Sequence, residues 1–128
     1  MKPDPSITYR GVLVIWTLML MSVFLHLLIT VIVPASTAPD PKSNLPLVLL
    51  VVSMVVLILS FALPRALRRL SPRAAAPAFV LALAMCEAVS IFGLLLHFAV
   101  AWPYYWIFML LGGAGMLVNF PRRTAFNP

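Results

Sequence analysis

Apolar residues fall into four long runs, and nearly every charged residue lies between or beyond them. The first run is Gly11–Val33, GVLVIWTLMLMSVFLHLLITVIV, and the second is Leu45–Leu63, LPLVLLVVSMVVLILSFAL. The third extends from about Ala74 to Trp102 and the fourth from about Tyr104 to Phe120. A helix that crosses a bilayer needs ~20 predominantly apolar residues, within a range of ~17–25. In hydrocarbon each backbone N–H and C=O must be satisfied within the segment, and at these lengths a helix does that. The pattern therefore predicts an all-α membrane protein with four transmembrane helices, at about 10–33, 45–63, 74–102 and 104–120. Together they make a single membrane domain, 1–128, read as an antiparallel bundle. The third run is long enough to tilt or to extend past the headgroups.

Prolines mark the joints. Pro34, Pro39, Pro41 and Pro46 fall in or beside the first loop, Pro64 and Pro72 flank the second, Pro103 parts the third and fourth runs, and Pro121 follows the last. Proline has no N–H and disfavours helical geometry in the residue before it, so Pro64 is expected to end the second helix. Pro77 fits the first turn of the third helix, where a missing donor costs nothing. The turn at Trp102–Pro103 is short enough to fold the last two helices into an antiparallel hairpin, with Trp102, Tyr104, Tyr105 and Trp106 as an interfacial aromatic belt. The first run is followed by small residues, VPASTAPD, yet it far exceeds the ~7–15 residues of a signal-peptide core. It is read as a retained anchor.

Composition agrees: 63% of residues are hydrophobic and 9% charged, whereas soluble domains have ~25% charged residues. The net charge of +6 comes from basic residues clustered at the ends of apolar runs. That placement is topogenic, and no basic face with polar or aromatic readers points to nucleic acid. Lys2, Arg10, Arg65, Arg68, Arg69, Arg73, Arg122 and Arg123 occupy the termini and the second loop, against Lys42 alone in the first loop. The positive-inside rule then puts both termini and the arginine loop on the cytoplasmic side of an inner (cytoplasmic) membrane. Arg65, Arg68, Arg69 and Arg73 are candidates for contact with anionic lipid headgroups. Cys86 is the only cysteine, which leaves no disulfide or metal–thiolate framework. No nucleophile–base–acid set is visible, and no enzymatic activity is expected.

Three acidic residues occur, and one of them, Glu87, lies near the centre of the third run. An ionised acid at mid-bilayer costs on the order of 3 kcal/mol on insertion scales. No Lys or Arg lies within the apolar cores to pair with it. Its available partners are His26, Ser90, other hydroxyls and water, and the carboxyl is expected to carry its proton. Such a group either binds and releases a proton or cation, or serves as a hydrogen-bonded contact inside a larger complex.

Residues 81–95, LALAMCEAVSIFGLL, resemble the carboxylate-bearing helix of the rotary ATPase proteolipid (c) subunit. Ala82, Ala84, Glu87, Ala88, Ile91, Phe92, Gly93 and Leu94 carry the likeness. The resemblance implies that Glu87 is the proton- or cation-binding carboxylate; Ser90, one turn on, is its candidate partner from the residues themselves. It also implies a polar cytoplasmic loop before that helix, in the place of the arginine loop. This chain departs from the family in having no glycine repeat in the second run and in placing its acid in the third helix.

His26 and His97 are the remaining polar groups of note. By helix rise, His26 lies ~10–12 Å and His97 ~7–9 Å below the predicted outer ends of their helices. Two imidazoles at similar depth could relay protons between Glu87 and the outer surface. They could also ligate a haem or hydrogen-bond a quinone in a bundle core, although no cofactor is expected. Gly93 in the third run and Gly112, Gly113 and Gly115 in the fourth would allow close helix contact, within one protomer or between protomers. The sequence thus predicts a small membrane subunit with a mid-membrane carboxylate, working as a homo-oligomer or inside a larger membrane complex. Its alternatives are a non-catalytic accessory subunit and a haem- or quinone-binding bundle.

Overall fold

The computed structural model describes residues 5–36, 38–70 and 74–122. Among them the order is α1 (Pro5–Ile32), α2 (Leu45–Leu70), α3 (Ala75–Val100) and α4 (Trp106–Val118), with no strand. Lys2, Arg73 and Arg123 lie outside the described residues. Three helices are long and apolar enough to cross a membrane: Tyr9–Ile32, Leu45–Leu70 and Ala75–Val100. The fourth is shorter than its apolar run, because Pro103, Tyr104 and Tyr105 form a turn and regular helix starts only at Trp106. Its 13 residues rise ~20 Å, against the ~30 Å of a hydrocarbon core.

Two other boundaries differ from expectation. The first helix begins at Pro5, ahead of the apolar run, and proline suits a first helical position. The second does not stop at residue 63 but runs through Pro64 to Leu70. Proline removes one backbone donor and crowds one carbonyl, and a helix with other support absorbs that loss. Pro64 is buried in the helix packing, and two arginines of the following turn bond carbonyls of the same helix. Arg65 Nη1 donates to Phe61 O at 2.9 Å, and Arg68 Nε to Pro64 O at 3.3 Å. Pro77 does fall in the first turn of α3.

Packing centres on α3, which touches each of the other three helices. Its buried positions include Ala78, Ala82, Cys86, Val89, Ser90 and Gly93, mostly small residues. The α2 stripe that is buried consists of Leu49, Ser53, Ser60 and Pro64. Small side chains let backbones approach closely, which is how helices gain packing energy where lipid removes the hydrophobic drive. By contrast α1 and α2 present Leu18, Phe24, Val31, Leu47, Val51 and Ile58 outward. Exposed aliphatic surface of that kind is what a lipid-facing helix shows.

The turn between α3 and α4 is set by Ala101, whose backbone is left-handed at φ 49°. That conformation lets the N–H groups of Ala101 and Trp102 both reach the carbonyl of Leu96. Of the expected aromatic belt, Tyr104 and Trp106 are exposed. Trp102 is half-buried against Phe108, with ring centres 5.9 Å apart. Tyr105 turns inward onto His97, at 4.6 Å between centres.

Candidate functional site

Glu87 is the midpoint of α3, the thirteenth residue of 26. Helical spacing puts Glu87, Ser90 and His97 on one face, at i, i+3 and i+10. On α1 and the residue that follows it, Ser22, His26 and Val33 line a face at i, i+4 and i+11. These two faces meet. Ser22 Oγ donates to Glu87 Oε1 at 2.5 Å, His26 Nδ1 lies 3.3 Å from Ser90 Oγ, and His97 Nε2 donates to Val33 O at 2.9 Å. A carbonyl can only accept, so the third bond fixes a proton on Nε2 of His97.

The paired residues are separated along the chain by 65, 64 and 64 positions. This near-constant offset means that α1 and α3 ascend side by side in one direction. Three polar rungs therefore connect them, from mid-helix at Glu87 to the α1 terminus at Val33. Thr30, on the same stretch of α1, is buried and donates to Leu27 O at 2.8 Å. The seam is polar inside an apolar molecule, and each rung is a direct contact between the two segments.

Burial differs from rung to rung. Ser90 is fully buried and His97 is 8% exposed, whereas Ser22, Glu87 and His26 are half-buried. Glu87 is thus held by a hydroxyl while still reaching the surface of the bundle. The apolar cores contain no Lys or Arg to neutralise it. Ser22 is the residue the sequence reading missed. It belongs to the "other hydroxyls" considered for Glu87, and its position one turn before His26 on the same face was the available signal. His26 and His97 do not converge on a common point; each bonds its own partner on a different turn. Ligation through Nε2 of His97 would first require breaking its bond to Val33. Among the described residues, no three His, Cys, Asp or Glu side chains come together as a metal site.

The glycines act within the chain. A Cβ at Gly112 would lie 2.7 Å from Cys86 O and 3.1 Å from Ser90 N, and one at Gly93 would lie 2.7 Å from Tyr105 O. At Gly115 it would meet Cys86 Sγ at 2.8 Å. Gly113 is different, with its nearest neighbour, Val23 Cγ1, at an ordinary 3.8 Å. Contacts descend α4 as they ascend α3 in reverse, from Gly93 beside Phe108 to Cys86 beside Gly115. The backbone of α4 is therefore pressed against the buried side of Cys86 and Ser90, directly behind the polar seam.

Cys86 ties three helices together. Its Sγ donates to Ser60 Oγ at 3.7 Å and accepts from Asn119 Nδ2 at 3.8 Å. Trp16 links α1 to α4 by donating Nε1–H to Met116 O at 2.9 Å. That carbonyl is one of the last four of α4, which lack a partner inside the helix. Arg65, Arg68 and Arg69 are exposed at the end of α2. No family model, curated protein or solved structure matches this chain.

Proposed function

We propose that this chain is a four-helix inner-membrane subunit, antiparallel, with both termini cytoplasmic, whose Glu87 binds a proton or cation within the bilayer. It acts without catalysis of its own, as a homo-oligomer or among the subunits of a larger membrane complex. The observation that carries the reading is the bond from Ser22 to Glu87 at the midpoint of a helix long enough to span. A carboxyl at that depth needs a proton, a cation or a donor to offset its desolvation. One hydroxyl satisfies one oxygen, and the half-buried position leaves the group reachable. The resemblance of residues 81–95 to the proteolipid helix supports the same chemistry. His26, Ser90 and His97 continue the polar seam toward the end of α1, in line with a relay role.

Carbodiimide attacks protonated carboxyls in apolar surroundings, and it tests the proposal in native membranes. Glu87 is expected to be modified, with the rate falling as the pH is raised, and Glu87→Gln is the unlabelled blank. Absence of modification at every pH would mean that the carboxyl is sealed in a contact. The accessory-subunit reading would then replace this one.

A further inference from the structure

A second polar feature lies at the opposite end of α3 from His97. Here a cleft of about 540 Å³ opens between the last turns of α2, the first turns of α3 and the segment that leaves α4. Arg65, Arg68 and Arg122 line it, and among the described residues no carboxylate does. Its walls include the rings of Phe61, Phe79 and Phe120. Three guanidinium groups drawn from two separate segments border this one space. Arg65 and Arg68 each commit an N–H to a helix carbonyl, which anchors the guanidinium at the rim. A guanidinium has five N–H donors, so most remain for a ligand.

We propose that this cleft binds a phosphate-bearing anion, supplied by the headgroup of an anionic phospholipid. Arginine's planar fork matches phosphate oxygens two at a time. An anion between the three groups would offset their like charge, a role that none of the described residues lining the cleft can take. The aromatic walls favour a lipid over free phosphate, because they offer apolar surface to a glycerol backbone and the start of its chains but nothing to a hydrated ion. The site is independent of Glu87: it uses different residues, and its occupation does not require that the carboxyl bind anything.

Native mass spectrometry of the detergent-purified chain, with phosphatidylglycerol and phosphatidylcholine added in turn, tests the proposal. Phosphatidylglycerol is expected to be retained preferentially. A basic residue near an anionic lipid surface contributes ~1 kcal/mol, so Arg68→Gln and Arg122→Gln should each weaken retention about fivefold. Arg68→Lys and Arg122→Lys keep the charge but lose the fork, and should weaken it less. Arg10→Gln removes an exposed charge on α1 outside the cleft and should leave retention unchanged. Competition with inorganic phosphate separates the sources. Retention that resists phosphate identifies the lipid, and ready displacement identifies a soluble phosphate compound as the better ligand and overturns the lipid assignment. Equal retention in wild type and both glutamine variants, or an equal loss in Arg10→Gln, would overturn the site itself.

Discussion

Two buried or half-buried serines make opposite predictions. Ser22 Oγ holds Glu87, whereas Ser53 Oγ is fully buried with no hydrogen-bond partner among the described residues. Removing one side of a made bond strands the other group, at ~1–3 kcal/mol, while removing an unpaired hydroxyl relieves a penalty. Ser22→Ala should therefore lower the Tm of the detergent-solubilised protein and alter the carbodiimide rate at Glu87. Ser53→Ala should leave the Tm unchanged or raise it, in the same thermal scan. The asymmetry explains what could be read from sequence at this scale. Glu87, His26 and His97 stood out because ionisable groups in hydrocarbon are costly. Serine carries little cost in a membrane helix, so hydropathy did not separate Ser22 from Ser53. Only the face shared by Ser22, His26 and Val33 distinguishes the serine that bonds.

Among the elements, the glycines of α4 offer a paired test. Gly112→Ala drives a methyl group to 2.7 Å from the carbonyl of Cys86 and must push α4 away from α3. Gly113→Ala meets only Val23 at 3.8 Å, and alanine favours helix over glycine by ~1 kcal/mol. Thermal unfolding should show a lower Tm for the first and an equal or higher Tm for the second. Sequence marked all four glycines as packing residues without distinguishing them, because which side of α4 faces α3 depends on the turn at Ala101. Helix existence was legible from hydropathy, since long apolar runs permit little else. Helix ends were less so. Pro64 was read as a stop by a local rule, whereas its ring is buried in the packing and the helix runs on to Leu70. The fourth run shortened because its aromatic start was used for the turn.

For the whole molecule, the eight-to-one placement of Lys and Arg predicts the orientation proposed above. Ser36→Cys, exposed between α1 and α2, should react with an impermeant maleimide from outside intact cells. Ala66→Cys, exposed beyond Pro64, should react only after the membrane is opened. Cys86 is buried and should stay silent in both. Charge placement could be counted from sequence, but the alignment of α1 with α3 could not, because it arises from long-range contacts between helices that are not adjacent in the chain. That alignment has a mechanical consequence. With a near-constant offset of 64–65 residues, the three rungs share one register, so a step of one helical turn, ~5.4 Å, would change them all together. Sliding α1 by a turn toward its own N-terminus would carry Ser22 away and bring His26 opposite Glu87, exchanging a hydroxyl for an imidazole at the carboxyl. The helix that would have to slide is also the least buried of the three long enough to span.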